Sequence, residues 1–401
     1  MQRERVAVVV GTRPEAIKLA PVVRALRDEG DVEAVVVSTG QHRQMLDQVF
    51  SRFGLQPDVE LSLMQPNQTL AGLTSRALST MDEALAEMSP RLLIVQGDTT
   101  TAFAAALSAF YRRVPVAHVE AGLRSGDLRN PYPEEANRRL ASVLTELHFA
   151  PTWLSQQNLL DEGVSPDRVL VTGNTVVDAL HTLLEVPCSF EGTPIEGVPL
   201  DGSRLMVVTS HRRESWGEDL QNICLALLDI VERHPDVRVV YPVHLNPNVG
   251  GTVRRLLEGV DRIHLTEPLD YLTFVNLLRR SDFILTDSGG VQEEAPTLGK
   301  PLLLLRAVTE RPEAFALGLA RIVGTHREDI VQEAERLLSD SRAYNRMAGT
   351  PNPYGDGRAS ERIALALGRW IRGESPLLHP SEQLGPAAQP PVVGRSPQIP
   401  A

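Results

Sequence analysis

Short runs of β-branched and aliphatic residues alternate with helical segments along the chain, and this alternation constrains the fold more than any other feature. In the first half the predicted strands are 6–10, 33–38, 92–96, 114–119, 147–150 and 168–172, and the predicted helices include 16–28, 69–87 and 100–111. Strands separated by helices require right-handed crossovers, which build a parallel sheet. The first half therefore predicts a Rossmann-like α/β domain over residues 1–185.

The alternation restarts after a stretch rich in proline and glycine at 186–203, which is typical of a linker. Here the predicted strands are 205–209, 238–241, 262–265, 282–286, 301–305 and 320–323, and the predicted helices are 220–233, 271–280 and 327–338. We expect a second Rossmann-like domain over 204–356, facing the first across a central cleft. A C-terminal helix at 357–373 is expected to return to the first domain, and the proline-rich residues 374–401 predict a disordered tail.

Composition excludes several classes of function. A chain of 401 residues is long enough for two domains. No apolar run approaches the roughly 20 residues that span a bilayer, and the N-terminus does not resemble a secretory signal, so we expect a cytoplasmic protein without a membrane partner. Two cysteines are too few for a disulfide framework. The net charge of −11 argues against nucleic acid as a partner.

Ligands of open parallel sheets lie beyond the carboxyl ends of the strands. The first strand is followed by Gly11–Lys18, in which Thr12 and Glu15 fit a helix-capping box. Arg13 and Lys18 add two cations beside a helix N-terminus, which already favours anions. The segment indicates an anion site, the alternative being only a well-capped helix start.

Three later elements of the first half each deliver a carboxylate to the same rim: Asp98, Glu120 and Glu134. Taken singly, Asp98 could be an N-cap, and Glu134 could merely compensate a helix dipole. Together the like charges suit general acid–base chemistry. His118 and Glu120 also resemble the start of a zinc deaminase motif, but its Pro-Cys-x-x-Cys partner is absent, so we expect neither metal nor cofactor.

In the second half the first strand ends at Ser210, and three potential cations follow, His211, Arg212 and Arg213. Such a cluster favours a phosphate clamp, in which His211 has a second possible role as proton donor to a leaving phosphate. The alternative is a loop whose cations are paired with nearby acids. Those acids are Glu214, Glu218 and Asp219.

A second phosphate signal lies at Ser288-Gly289-Gly290, where paired glycines open a predicted helix. Without side chains, their backbone amides can approach a phosphate closely. Glu294, a few residues further on, could accept the hydroxyls of a ribose. Strand-end chemistry thus predicts a diphosphate ligand in the second half and carboxylate chemistry in the first.

Ten segments in order resemble signatures of the non-hydrolysing UDP-N-acetylglucosamine 2-epimerases, a family with the two-domain GT-B architecture. They are 11–18, 41–43, 97–101, 118–124, 133–138, 173–175, 211–214, 242–247, 287–295 and 309–313. The resemblance covers residues 5–372. It implies interconversion of UDP-N-acetylglucosamine and UDP-N-acetylmannosamine through elimination of UDP to 2-acetamidoglucal, for use in cell-surface polysaccharides.

By matching position, the resemblance makes Asp98, Glu120 and Glu134 catalytic acids and lets His211 assist the departing UDP. It does not say which acid removes the proton from C2 and which returns it. The residues implied in holding UDP are Arg13, Lys18, Arg212, Phe274, Ser288, Gly289, Gly290, Glu294 and Arg311.

Many bacterial members of the family bind a second UDP-N-acetylglucosamine as an activator and form homodimers. The matching activator positions are Gln41, Gln44, Arg212 and His244. Two departures bear on binding: Asn67 stands where some members place an activator-binding arginine, and Leu269 replaces a glutamine near the uracil. Three other interpretations stay open, namely a hydrolysing epimerase, a GT-B glycosyltransferase and a non-catalytic nucleotide-sugar binder.

Overall fold

The computed structural model describes residues 3–40, 43–65, 68–212 and 216–385. It divides into two compact units. The first unit contains the described residues of 1–179 and 354–385, and the second unit contains the described residues of 180–353. The chain therefore leaves the first unit once and returns to it.

The first unit is built on a seven-stranded parallel sheet in the order β3-β2-β1-β4-β5-β6-β7. Its elements are β1 (Glu4–Val10), α1 (Arg13–Asp28), β2 (Val32–Ser38), α2 (Arg43–Arg52), β3 (Val59–Glu60), α3 (Leu70–Met88), β4 (Leu92–Gln96), α4 (Thr100–Tyr111), β5 (Val116–Val119), α5 (Glu134–Leu144), β6 (Leu147–Ala150), α6 (Trp153–Asp161), β7 (Val169–Val171) and α7 (Thr175–Leu184), which runs into the second unit.

The second unit contains a six-stranded parallel sheet in the order β10-β9-β8-β11-β12-β13. Its elements are β8 (Arg204–Thr209), α8 (Glu218–Arg233), β9 (Val237–Pro242), α9 (Pro247–Leu257), β10 (Ile263–Thr266), α10 (Tyr271–Arg280), β11 (Phe283–Thr286), α11 (Val291–Thr297), β12 (Leu302–Leu304), α12 (Glu313–Ala316), β13 (Ala320–Ile322), α13 (Arg327–Ser339) and α14 (Ser341–Ala348). The C-terminal helix α15 (Ala359–Ile371) belongs to the first unit.

The central strands are almost entirely apolar because helices cover both faces of each sheet. Val6, Val8 and the other aliphatic residues of β1 are buried, and so is β4 throughout. In both sheets the chain starts in the middle, moves outward to one edge and then resumes on the other side. The strand order thus reverses between β1 and β4 and again between β8 and β11. These are the points at which doubly wound sheets bind ligands.

The C-terminal helix returns to the first unit, as predicted, and a buried carboxylate anchors it there. Asp178 accepts hydrogen bonds from the backbone amides of Ala359 and Ser360 at 3.2 and 2.7 Å. Burial raises the pKa of Asp178, and these hydrogen bonds oppose that rise. α15 also packs against α1. The helix therefore completes the first unit.

The predicted disorder from residue 374 onward is wrong for residues 374–385. The Leu384 amide donates to the Val171 carbonyl at 2.9 Å, and Glu382 forms a two-pronged ion pair with Arg369. The Leu384 contact covers β7, the edge strand of its sheet, whose backbone groups need partners. Proline content hid this, because prolines are compatible with an extended segment along an edge.

The unit boundaries differ from the predicted ones at both crossings, and residues 180–185, expected in the first domain, belong to the second unit. Residues 354–356 were expected in the second domain, but the Tyr354 carbonyl accepts from the Asn174 amide in the first unit at 2.6 Å. Residues 186–203 contain neither helix nor strand. Within the described ranges, no helix has the length and hydropathy needed to cross a membrane.

Candidate active site

In the first unit, Glu15 ties together the loops that follow β1 and β4. Its carboxylate accepts from the amides of Gly11 and Thr12 at 2.8 and 2.6 Å and from the Thr99 hydroxyl at 2.7 Å. Burial raises the pKa of Glu15, and the same hydrogen bonds oppose the rise. The predicted capping box of Thr12 and Glu15 is present. Glu15 therefore links the two loops that flank the strand-order reversal between β1 and β4.

Glu120 directly follows β5 and is held by both its backbone conformation and its side-chain contacts. Its φ of +65° lies in the left-handed region that non-glycine residues rarely adopt. The carboxylate accepts hydrogen bonds from Lys18, Gln96 and, at 2.9 Å, Asn174. Both Lys18 and Glu120 are buried. The structure thus places the ammonium of Lys18, predicted to bind phosphate, on a carboxylate.

Asp98 is paired with a buried arginine. Its carboxylate contacts Arg138, and its backbone carbonyl accepts from the Asn137 amide group at 3.0 Å. About a quarter of the Asp98 side chain, 27%, stays exposed. The alternative that Asp98 is merely an N-cap is wrong, because the Thr99 hydroxyl caps α4. Asp98 is therefore fixed by α5 while part of its carboxylate stays exposed to solvent.

The remaining first-unit candidates lie at helix starts. Glu134 is the first residue of α5, the helix whose Asn137 and Arg138 hold Asp98. Arg13 is the first residue of α1. Both side chains are half-buried. The structure thus brings two predicted acids and the helix carrying the third to one edge of the sheet.

His118 lies beneath this edge in β5, with Nε2 2.7 Å from the Gly97 carbonyl oxygen. Burial lowers the pKa of His118 to about 4, so the ring is neutral near pH 7. No group of His, Cys, Asp and Glu within the described ranges could hold a metal ion. His118 therefore supports the loop that carries Asp98.

In the second unit, His211 is oriented by an aspartate that the sequence analysis did not identify. Nδ1 of His211 lies 3.1 Å from Oδ1 of Asp287, close enough for an ion pair or a bent hydrogen bond. The other oxygen of Asp287 accepts from the Ser210 hydroxyl and the amides of His211 and Arg212 at 2.8–3.0 Å. Burial would raise the pKa of Asp287, but these contacts outweigh it, and the pKa is lowered.

The glycine turn after β11 lies against two arginines. A Cβ on Gly289 would stand 3.2 Å from Nη1 of Arg311 and 3.6 Å from Nη2 of Arg212. Arg311 is buried and pairs with Glu293 and Glu310, each at 2.6 Å. Burial opposes ionisation of Glu310, yet the neighbouring arginines lower its pKa. A side chain at this position would crowd the two guanidinium groups, which glycine leaves unobstructed.

The predicted ribose acceptor Glu294 is buried in the first turn of α11, where its carboxylate accepts from the Tyr271 hydroxyl at 2.8 Å. Tyr271 begins α10, which also carries the half-buried Phe274. The Ser288 amide donates to Thr286 at 2.9 Å. Leu269 is buried at the entrance to α10. The residues expected to hold a nucleoside diphosphate therefore lie at the carboxyl ends of the strands of the second sheet and in the helices that follow them.

Of the four predicted activator residues, Arg212 and His244 are described, Gln41 lies outside the described part of the chain, and the side chain of Gln44 is not described. Asn67, Arg213 and Glu214 also lie outside the described part. His244 is described, and its ring stacks on His211 with centroids 5.8 Å apart. Burial, together with His211, lowers the pKa of His244.

Sequence reasoning missed the partners of the predicted residues more than the residues themselves. Asp287 immediately precedes the Ser-Gly-Gly turn, and Arg138 lies one helical turn after Glu134. Both residues therefore lie within the motifs, although no role was predicted for either. Asn174 lies in the signature segment 173–175, but its contact with Glu120 was not predictable, because 54 residues separate the two.

Two Rossmann-like units, each with polar residues at its strand-order reversal, make this chain a GT-B-like α/β protein. A family model for UDP-N-acetylglucosamine 2-epimerase matches residues 24–368. The chain is 51% identical over 368 residues to the UDP-N-acetylglucosamine 2-epimerase of Yersinia pestis, covering 90% of this chain and 98% of that protein. The chain therefore belongs to the UDP-N-acetylglucosamine 2-epimerase family.

Solved structures show the same relationship. The UDP-N-acetylglucosamine 2-epimerase of Neisseria meningitidis, described as bound to UDP-N-acetylglucosamine, superposes with a TM-score of 0.86 at 47% identity, covering 90% of this chain and 99% of that one. The Methanocaldococcus jannaschii enzyme in complex with UDP-N-acetylglucosamine and UDP superposes with a TM-score of 0.77 at 32% identity, with coverage of 90% and 99%.

Proposed function

We propose that this protein interconverts UDP-N-acetylglucosamine and UDP-N-acetylmannosamine without net hydrolysis. The observation that carries the proposal is the edge formed by Asp98, Glu120 and the start of α5, where carboxylates are held by Lys18 and Arg138. Family membership supplies the substrate class. Inversion at C2 needs proton exchange on both faces of the sugar, which several fixed carboxylates serve.

The proposed reaction has two stages that run in opposite directions. First a carboxylate takes the proton from C2 while the C1–oxygen bond to UDP breaks, which leaves 2-acetamidoglucal with a C1=C2 double bond. Then a proton is delivered to C2 from the opposite face, and the UDP oxygen bonds again to C1. Because no water enters this cycle, UDP and the sugar are recovered joined.

The second unit is proposed to hold the departing UDP. Arg212, Arg311 and the backbone amides of the glycine turn would balance the charge that develops on the diphosphate as it leaves. His211, fixed by Asp287, would present Nε2 to a phosphate oxygen. Glu294 would accept ribose hydroxyls, and Phe274 would lie against the uridine.

Product analysis tests this proposal directly. We expect UDP-N-acetylglucosamine incubated without an acceptor to yield a stable mixture of two UDP-sugars and only traces of UDP. The Asp98→Asn and Glu134→Gln variants should lose on the order of 10²-fold or more in turnover, since each removes a proton carrier. Their thermal unfolding should be close to wild type, because both sites lie at a polar rim.

Asp82→Asn serves as the matched control, because Asp82 pairs with Arg112 on the exposed surface of the same unit. It should turn over at the wild-type rate. Stoichiometric UDP and free N-acetylmannosamine would mean a hydrolysing enzyme, and an unchanged substrate would leave a glycosyltransferase or a binder. Wild-type rates in either Asp98→Asn or Glu134→Gln would contradict that residue's assignment.

The remaining features of the proposal follow family resemblance. We propose a homodimer in the cytoplasm that supplies N-acetylmannosamine for cell-surface polysaccharide. An activating second UDP-N-acetylglucosamine at Gln41, Gln44, Arg212 and His244 stays a prediction, and the stacking of His244 on His211 is the contact that supports it.

A further inference from the structure

Asn174 sits immediately after β7, and each of its polar groups that the structure describes has a different partner. The side-chain amide donates to Oε1 of Glu120 at 2.9 Å, and the side-chain oxygen accepts from the Val176 amide at 3.1 Å. The backbone amide donates to the Tyr354 carbonyl at 2.6 Å. One buried residue thus joins a catalytic candidate, a helix start and the segment by which the chain returns to the first unit.

Glu120 has reason to need such a partner. Its left-handed φ of +65° costs energy, so neighbouring contacts must hold it in place. Lys18 and Asn174 share Oε1, while Gln96 donates to Oε2. Losing one donor to a buried carboxylate leaves that acceptor under-satisfied and frees the group to rotate.

The backbone around Asn174 is fixed by close packing against the return segment. Gly173 has a φ of +88° and Gly355 a φ of +148°. A Cβ on Gly173 would stand 3.3 Å from the Cα of Gly355, so the two glycines allow the segments to approach closely. Asn174 therefore presents its amide to Glu120 from a firmly held position.

We propose that Asn174 is a positioning residue for the epimerase. Its side-chain amide fixes the Glu120 carboxylate, and its backbone amide ties Asn174 to the return segment at Tyr354. This inference rests on the proposed function, since it assigns Glu120 to the reaction. Asn174 acts through Glu120, because its side-chain amide donates to that carboxylate. Its loss should therefore lower kcat and leave KM nearly unchanged.

Two substitutions separate this role from helix capping, because serine and aspartate are also good N-caps. Asn174→Ser keeps a capping oxygen and the backbone hydrogen bond, but its hydroxyl is one atom shorter than the amide group, so its donor does not reach Glu120. We expect kcat to fall about tenfold or more, with KM within about twofold of wild type. The unfolding temperature should change by only a few degrees.

Asn174→Asp keeps the cap and places a second carboxylate against Glu120. We expect a larger loss of kcat, about 10²-fold, at pH 8. Two carboxylates this close share a proton as the pH falls, and the introduced side chain, once protonated, can again donate, so activity should partly recover on acidification. Among the described residues, Lys18 from α1 is ion-paired with Glu120, and His118 from β5 interacts electrostatically with both Glu120 and Asp98. Because the wild-type protein contains the same groups, its pH profile is the reference, and only the difference between the two profiles is assigned to the introduced carboxylate.

Asn352→Ala is the matched control, since Asn352 lies beside the same crossing but donates to Thr297 in the second unit at 2.8 Å. It should keep wild-type kinetics. If Asn174→Ser and Asn174→Asp both turn over like wild type, Asn174 is a cap and nothing more, and the inference is wrong. If the wild-type protein itself makes no UDP-N-acetylmannosamine, the proposed function fails instead, so the two failures are distinguishable.

Discussion

At the scale of single residues, the recurring feature is a proposed catalytic side chain held by a buried partner. Glu120 has Asn174 and Lys18, Asp98 has Arg138, and His211 has Asp287. A contact from Asp287 at Nδ1 would place the proton there and leave Nε2 free to meet a phosphate. Fixed geometry of this kind is what electrostatic catalysis requires.

Asp287→Asn should therefore disturb His211 without dismantling the loop. The asparagine oxygen can keep accepting from Ser210 and the two backbone amides, while its NH₂ group faces Nδ1 and favours the opposite tautomer. We expect kcat to fall on the order of 10²-fold, measured by steady-state kinetics, and the ¹⁵N resonances of His211 to report the tautomer change.

The control for that substitution is Asp229→Asn, because Asp229 pairs with Arg327 away from the glycine turn. Its kinetics should match wild type. An Asp287→Asn variant that retains both the wild-type tautomer and the wild-type rate would show that Asp287 only shapes the loop.

Sequence reasoning at this scale found most of the candidate residues but few of their partners. The capping box of Thr12 and Glu15 was predictable because it is local, three residues apart. The pairing of Lys18 with Glu120 was not, because 102 residues separate them and only the pairing of strands brings α1 close to β5. Lys18, a cation beside a helix N-terminus, was therefore predicted to bind a phosphate, whereas in the folded protein its partner is the carboxylate of Glu120.

At the scale of elements, the neighbouring strands β5 and β6 bury two histidines side by side. His118 and His148 occupy paired positions in the parallel ladder. Burial lowers the pKa of His118 to about 4 and that of His148 to about 3, and in His148 the charge of His118 adds to the effect. Both rings are therefore neutral in the folded protein at neutral pH.

This pair makes the first unit sensitive to acid. Below about pH 6.5 the unfolded chain binds protons that the folded protein does not, so the free energy of unfolding falls with pH until the folded pKa values are reached. At about pH 5 each histidine should cost on the order of 2 kcal/mol. The free energy of unfolding is measured in urea at about pH 7.5 and at about pH 5. Between these two pH values it should fall by about 2 kcal/mol less in His148→Phe than in the wild-type protein.

His181→Phe is the control, since His181 is exposed on α7. It should show the wild-type dependence on pH. Equal acid sensitivity in His148→Phe and wild type would mean that the buried pair does not account for the effect.

Element prediction succeeded where hydrophobic runs were long and failed where structure is set by tertiary contacts. All strands of the two sheets except β3 were predicted from their apolar runs, although β5 begins at Val116 rather than at 114. The two-residue strand β3 has no pattern of its own and forms by pairing with β2. Likewise, the order of residues 374–385 comes from contacts with β7 and Arg369, which composition does not encode.

At the scale of the whole molecule, the same strand order appears twice and each sheet carries its candidate residues at the reversal point. The twofold alternation of strands and helices predicted the two sheets. It did not predict where the chain returns, because the return at Tyr354 depends on one backbone hydrogen bond and on two glycines that pack together.

The proposed epimerisation makes a claim about one carbon-bound hydrogen, and that hydrogen can be followed directly. UDP-N-acetylglucosamine is incubated with the protein in D₂O, without acceptor, and C2 is observed by NMR. Epimerisation through 2-acetamidoglucal should place deuterium at C2 in a stable mixture of UDP-N-acetylglucosamine and UDP-N-acetylmannosamine. A C2 position that keeps its original hydrogen, with no second UDP-sugar formed, would contradict it.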